Sequence, residues 1–524
     1  MLALGLALRL VGIDWGVPRA PHFRNWFQDE RFTLGLVLRM DPSRLDLDPR
    51  YYINPGLHYY SLLKVIGAAS ILGLDLGLPV ADDNPFKPSG LSAETYRALF
   101  SVGRGLSVLL GAASLLLLFL IGRRLYDERA GLWAALLGAV AWPLVYESHF
   151  LVVDGPAVFW LLLGFWAVLW LDAAPDGRRR LSAPVLVGLA IGAKYLNVLL
   201  VLPLALVLWR AGRRGFAAAL ARTAAVASAA FLLSNPYSLL SLPRFLSGDA
   251  QGFGGIFGAR GLFYYNSYPP SLVTPLWSTA STLGILGSSA LVIALAVLLF
   301  RRSRADRLLL LFILPFYLLL FLRASPMMRH FLPLVPFLCL ALAGALRQRD
   351  LCGLRVGPAG PVLLGLVAAG VLALSASGVA RMARPDTREQ AAAWLDANAG
   401  RELILLPTWF PFRYTPAIDS LNVVAANYNP VALADLQPRY VMMVEPEYRV
   451  WDRRDPQAAQ KTGFRAAVER DPAYRLLRRF RDPFKLFGLD LAPRFPAEDW
   501  DFTSPEILLY RRAVPAAVPS PAGR

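Results

Sequence analysis

The chain has 524 residues, 56% of them hydrophobic and only 17% charged, with a mean hydropathy of +0.45. That balance excludes a soluble globular protein, and several apolar runs reach the roughly 20 residues that cross about 30 Å of hydrocarbon as a helix. The runs are continuous, without the period-two alternation of a transmembrane barrel. The net charge of +17 does not indicate a nucleic-acid partner, because the arginines cluster in short loops between apolar runs, the positive-inside pattern. Cys339, in an apolar span, and Cys352, in a basic loop, have neither metal-site nor disulfide spacing.

The first apolar segment reads as a helix rather than a cleaved signal, since no small-residue cleavage pattern precedes Asp14. It has about 13 residues where a span needs roughly 20, which leaves open a start upstream of Met1. Beyond it lies a long polar segment, residues 14–100, that opens with Phe27-Gln28-Asp29-Glu30-Arg31. Two adjacent carboxylates where a chain leaves the bilayer are costly unless they face water, a cation or a substrate. Solvated loop charges are the plain alternative. Within this segment Gly56–Gly73 is apolar, but a crossing there would reverse every later loop against the arginine bias. We read it as an interfacial helix carrying His58, Tyr59, Tyr60 and Lys64, with Asn54-Pro55-Gly56 setting its start.

Ser101–Gly122 is a span that ends in Arg123 and Arg124, with Arg129 following. Ala130–Tyr146 returns outward to a short loop holding Glu147, His149 and Asp154, and Pro156–Leu171 goes back to Arg178–Arg180. Leu181–Trp209 is one apolar run with basic residues at both ends, Arg178–Arg180 before it and Arg210, Arg213 and Arg214 after it. One span cannot place both ends on the same side. Two short helices turning near Lys194-Tyr195-Leu196-Asn197 can, and broken helices are tolerated where they line a cavity. A lysine snorkelling from an ordinary helix is the rival reading. Phe216–Leu233 exits at Asn235-Pro236-Tyr237, and a second outer loop, residues 235–276, carries the glycine-rich Gly252–Gly261 stretch with Arg260, Tyr264 and Tyr265. Those glycines match no phosphate-cradling motif and read as a flexible loop.

Trp277–Phe300, Leu308–Leu322, Phe331–Leu346 and Pro361–Val379 complete about 11 spans, with Arg329 and His330 at an outer turn. The amino end is expected in the cytoplasm and the carboxyl end outside. Residues 385–524 read as a small soluble α/β domain on the outer face, with Arg388–Ala397 helical and Glu402–Pro407 and Arg439–Val444 as buried strands.

The outer face thus collects Asp29 and Glu30 as candidate catalytic carboxylates. Lys194, Arg329, His330, Arg260, Tyr264, Tyr265, His58, Glu147, His149 and Asp154 are candidates for holding phosphate and sugar. Carboxylates beside fixed cations at a membrane surface suit transfer from a lipid phosphate: cations stabilise the departing phosphate and a carboxylate takes the acceptor proton. Glu147, His149 and Asp154 have the chemistry of divalent-metal ligands, but i, i+2, i+7 is no recognised metal spacing, and structural hydrogen bonding is the preferred reading. Asp154 also stands where it would cap the next helix. Arg9, inside the first helix, must pair or snorkel, and Asp29 or Glu30 is its expected partner.

An outward Asp29-Glu30 after the first helix, followed by Tyr51-Tyr-Ile-Asn-Pro55-Gly-Leu-His-Tyr-Tyr60, resembles the start of the GT-C glycosyltransferases. The likeness is to the protein O-mannosyltransferase and lipid A aminoarabinose transferase group. Glu147-Ser-His149 with Asp154, Gly192-Ala-Lys194-Tyr195, Asn235-Pro236-Tyr237 and Arg329-His-Phe-Leu-Pro-Leu-Val-Pro336 follow in matching order across about residues 1–346. The resemblance implies a GT-C-like transmembrane catalytic domain over residues 1–384, a polyprenyl-phosphate-sugar donor, Asp29 as general base and a cleft made by the two outer loops. The aminoarabinose transferases carry a Lys-Pro-Pro-type segment where this chain has Asn54-Pro55-Gly56, so the cation expected there is missing and the donor sugar stays open. The acceptor is a protein, lipid or glycan hydroxyl, and the site belongs to the inner membrane of a cell. A transporter or lipid-linked-sugar flippase is the rival. It would favour repeats of matching hydropathy, and the unequal loops give none.

Overall fold

The computed structural model describes residues 1–17, 25–74, 92–173, 177–248, 252–256, 272–323, 328–347, 350–351, 354–355, 358–407, 421–445, 457–486, 489–491 and 503–513. The helices that build the bundle are α1 (Leu2–Leu10), α2 (Gln28–Leu38), α3 (Leu57–Ile71), α4 (Ala93–Leu125), α5 (Glu128–Val140), α6 (Trp142–Glu147) and α7 (Asp154–Ala173). They continue with α8 (Gly177–Ala193), α9 (Val201–Ala211), α10 (Phe216–Ser234), α11 (Val273–Arg301), α12 (Arg304–Arg323), α13 (Val335–Leu346) and α14 (Ala359–Met382). Among the described residues, 7 helical stretches are long and apolar enough to cross a membrane by length and composition. Each segment expected to span is helical, but α1, the broken α5–α6 pair, α8 and α9 fall short of that length.

The breaks have physical causes. Ala141 is extended between α5 and α6, because Pro143 near the start of α6 has no N–H to continue the ladder. Lys194 is likewise extended between α8 and the 3-10 turn Tyr195–Leu200, where the opposing basic ends of this run required an interruption. Close packing does the rest. A Cβ on Gly122 of α4 would lie 2.8 Å from Cα of Gly131 on α5, so these helices touch backbone to backbone through small residues. Every residue of α13 is buried, which puts it at the centre of the bundle, packed against α5, α11, α12 and α14.

The segment after α1 is more ordered than a solvated loop. α2 and α3 lie against the amino-terminal end of α4 through Leu34, Val37, Tyr59, Leu62, Ile66, Tyr96, Leu99 and Phe100. α4 starts at Ala93 rather than Ser101 because those extra turns bury Tyr96, Leu99 and Phe100 here. Asp29 and Glu30 occupy the first turn of α2, where negative charge is favoured by the helix dipole. The 15-residue α3 is about 22 Å long, shorter than a span, and ends with Ile71 and Leu72 exposed.

The C-terminal part is α/β, as expected. α15 (Thr387–Asn398) precedes β1 (Ile404–Leu406), β2 (Val423–Ala425), β3 (Tyr440–Val444), α16 (Ala458–Arg470), β4 (Tyr474–Phe480) and β5 (Ile507–Arg512). The sheet order is β2-β1-β3-β5-β4. β1 runs parallel to β2 and β3, while β5 is antiparallel to β3 and β4. β1 and β3 are buried throughout, the pattern of strands covered on both faces. The edge strand β4 exposes Arg475, Arg478 and Arg479, charges that blunt edge-to-edge pairing.

Candidate active site

The two carboxylates at the start of α2 have different surroundings. Asp29 is partly exposed and forms an ion pair with Arg329, on the single turn Met328–Phe331 that also carries His330. Glu30 is fully buried. Its Oε1 and Oε2 accept from Arg104 Nε at 2.8 Å and Nη2 at 2.7 Å, and further bonds come from Leu151 N at 2.8 Å and Asn25 Nδ2 at 3.0 Å. Arg104 also donates to the Trp15 carbonyl at 2.8 Å. Both Glu30 oxygens are therefore occupied, the geometry of an anchor that fixes α2 against α4 and the 147–154 loop. Glu30, a candidate catalytic carboxylate in the sequence, thus has both oxygens turned to protein donors.

A second ion pair joins Lys194, at the break after α8, to Asp154, the first residue of α7. Charges from both pairs act on Tyr51. Burial first, then the charge of Asp29, pushes its phenol up to about 12, with Arg329 opposing and Asp154 adding. Asp29, Arg329 and Asp154 therefore all act on one side chain. His58, on the first turn of α3, is buried and its Nε2 has no hydrogen-bond partner among the described residues. Burial pulls its pKa down to about 4, with Asp154 opposing.

The segments around the site are sewn together by groups that the sequence reading did not place in it. Asn235 accepts from Gly56 N through Oδ1, and its Nδ2 donates to the Gly192 carbonyl at 3.4 Å. Tyr195 Oη donates to the Tyr52 carbonyl at 2.9 Å, while Tyr237 Oη accepts from Leu47 N at 3.1 Å. Asp48 accepts from Tyr52 Oη at 2.6 Å, Ser241 Oγ at 3.0 Å and Arg244 Nη1 at 3.2 Å. The Asn235-Pro236-Tyr237 turn and the tyrosine run were the available signals. Arg104 gave none, being one arginine on a long apolar helix.

Arg9 departs from its expected partner. It donates to Ser148 Oγ at 3.2 Å and to the carbonyls of Gly5 at 2.9 Å, Ala139 at 3.2 Å and Gly138 at 3.4 Å. The last two carbonyls end α5, where helical acceptors lack partners, and Pro143 removes the donor that Ala139 would have had. His149 sits within 2.9 Å of the Val145 carbonyl through Nδ1 and 3.0 Å of the Val11 carbonyl through Nε2. With His149 turned to carbonyls and Asp154 to Lys194, the trio with buried Glu147 does not fit a metal ion. Among the described residues no group of three or more His, Cys, Asp or Glu converges. Arg260, Tyr264 and Tyr265 lie outside the described residues.

Residues 98–238 match the family model of dolichyl-phosphate-mannose-protein mannosyltransferase. The chain resembles the GT-C membrane glycosyltransferases. The matched stretch holds Arg104, Glu147, His149, Asp154, Lys194 and Asn235, whereas Asp29 and Arg329 lie outside it. Among solved structures, the chain is similar to ArnT from Cupriavidus metallidurans bound to undecaprenyl phosphate, at 13% identity and a TM-score of 0.48, covering 97% of each chain. It is also similar to the Archaeoglobus fulgidus oligosaccharyltransferase in the apo form, at 13% identity and a TM-score of 0.45, covering 84% of this chain and 69% of that one. The arabinofuranosyltransferase AftD from Mycobacteria follows at 15% identity and a TM-score of 0.43, covering 98% of this chain and 42% of that one. No curated protein matches.

Proposed function

We propose that the chain is a glycosyltransferase that moves a sugar from a polyprenyl-phosphate-linked donor to an acceptor hydroxyl on the outer face of a cell membrane. The observation that carries this reading is the Asp29–Arg329 pair, partly open to solvent and set beside Tyr51 and the Lys194–Asp154 pair. The outer-face placement rests on the arginine-rich loops at the other end of the bundle.

In this reading the anionic lipid phosphate competes with Asp29 for Arg329 and with Asp154 for Lys194. A carboxylate is thereby freed where a cation has just been neutralised. Asp29 takes the proton from the acceptor hydroxyl as its oxygen attacks the anomeric carbon. The bond from that carbon to the phosphate oxygen breaks, and the electron pair leaves with the polyprenyl phosphate. A single displacement inverts the anomeric configuration. The phosphate leaves without protonation because Arg329 and Lys194 offset its developing charge. Glu30 is assigned to anchoring.

The test is transfer from radiolabelled polyprenyl-phosphate sugars in nanodiscs, wild type against Asp29→Asn. Transfer by the wild type that the substitution abolishes, with donor binding kept, supports the reading. Donor binding by both proteins with transfer by neither would turn the assignment to lipid-linked-sugar transport.

A further inference from the structure

At the end of the bundle opposite the candidate active site, α7, α8, α9 and α10 leave an open crevice of about 340 Å³. Its walls are apolar, with Leu171, Val207, Leu208 and Val226 among them, and Arg180 and Arg222 stand at its edge. Both arginines are exposed, and neither meets a carboxylate among the described residues. The volume is within the range of small-ligand sites, and a crevice between membrane helices is filled by chain rather than water.

We propose that this crevice binds an acidic glycerophospholipid, one acyl chain between α8 and α10 and the headgroup phosphate between Arg180 and Arg222. Charge complementarity selects the occupant. Arg178 and Arg179 precede Arg180 in the chain, and Arg213 and Arg214 lie between the lining residues Gly212 and Gly215, so this end of the bundle is strongly basic. Basic pockets between transmembrane helices at a positively charged end recruit anionic headgroups. At Gly188 of α8 the two helices touch, and a Cβ there would lie 2.2 Å from the Ala227 carbonyl of α10. A second crevice of about 360 Å³ lies further along the same helices, but it is lined by Val185, Leu189, Ala229, Ala230 and Leu233 and has no arginine in its wall. Gly215 lies in the wall of the basic crevice, and a Cβ there would point into open space, so the tail path can be blocked without altering charge.

The full-length protein in detergent is given phosphatidylglycerol, phosphatidylcholine or polyprenyl phosphate, and retained lipid is read by native mass spectrometry alongside the thermal midpoint. Phosphatidylglycerol is expected to be retained by the wild type and to raise its midpoint more than phosphatidylcholine does. Arg180→Gln with Arg222→Gln should weaken retention roughly thirtyfold, about tenfold for each 1.4 kcal/mol, and Gly215→Trp should abolish it with both arginines in place. Equal retention of the two phospholipids by the wild type, or undiminished retention by both variants, overturns the proposal. So does retention of polyprenyl phosphate in place of phosphatidylglycerol. Midpoints of the variants without lipid that match the wild type establish that the lost binding is not lost folding.

Discussion

Asp29 and Arg329 are separated by 300 positions in the chain and meet as an ion pair. One comes from the first turn of α2 and the other from the turn that enters the central helix α13. The pair therefore exists only when the bundle has closed around α13. It also gives the two side chains separable roles. Asp29→Asn keeps shape and hydrogen bonding but cannot take a proton, and is expected to lower kcat about a hundred- to ten-thousandfold with donor affinity held. Arg329→Gln is expected to raise the donor KM as well, since it removes a phosphate partner. Single-turnover transfer and donor binding, measured side by side, separate the two.

Glu30 differs from its neighbour although both are acidic and adjacent. Its buried pairing with Arg104 predicts that Glu30→Gln acts on folding rather than chemistry. Removing one partner of a buried pair costs about 3–5 kcal/mol because it strands the other charge. The Glu30→Gln and Arg104→Met double variant should recover part of that loss. Thermal midpoints of the singles and the double in one detergent check it, and activity per folded molecule should fall far less than in Asp29→Asn.

How far the sequence could reach is clear from these two residues. The order of motifs brought Asp29, Lys194 and Arg329 together on paper, and the basic ends of residues 181–209 required the break that the structure has at Lys194. Nothing distinguished a solvent-facing carboxylate from a buried one, because Arg104 lies 74 residues away inside an apolar run. For Arg9 the sequence points to pairing, with Asp29 or Glu30 as partner, or to snorkelling, whereas the carbonyls at the end of α5 and Ser148 serve it. The sheet was half legible: β1 and β3 are continuous apolar runs, whereas the arginines of β4 hide an edge strand.

His58 and His149 make stability depend on pH. Burial depresses both to about 4 from the unfolded value of 6.5. Above 6.5 both are neutral in either state and stability is fully present. As pH falls from 6.5 toward 4 the unfolded chain takes up protons that the folded chain refuses, so stability is lost across that window. The slope is about 1.4 kcal/mol per pH unit for each histidine. Midpoints measured from pH 7.5 to 4.5 should fall, and His58→Gln should flatten the curve by about half.

The C-terminal α/β part is held by a clamp whose loss should be visible without any substrate. Arg388 forms a buried pair with Asp386, Nε to Oδ1 at 2.7 Å and Nη2 to Oδ2 at 2.8 Å. Its guanidinium lies 4.5 Å from the Trp26 ring centre and 5.6 Å from that of Trp15. Asp386 Oδ2 also accepts from Ser504 N at 2.9 Å, which ties the segment leading into β5 to the same point. Trp15 in turn accepts from Arg104 through its carbonyl, so the clamp abuts the Glu30 anchor. Arg388→Ala leaves Asp386 buried without its cation and removes the stacking on both indoles, a loss of about 3–5 kcal/mol. The domain is expected to become protease-sensitive between residues 384 and 404 while the helical bundle stays intact. Arg388→Lys should restore little, because an ammonium cannot supply the bidentate fork or the planar stacking. Limited proteolysis of the three proteins, read by mass, gives the comparison. An intact C-terminal part in Arg388→Ala would mean that the remaining contacts suffice, among them Arg381 to the Ser504 carbonyl at 2.9 Å and Thr387 to the Pro505 carbonyl at 2.6 Å.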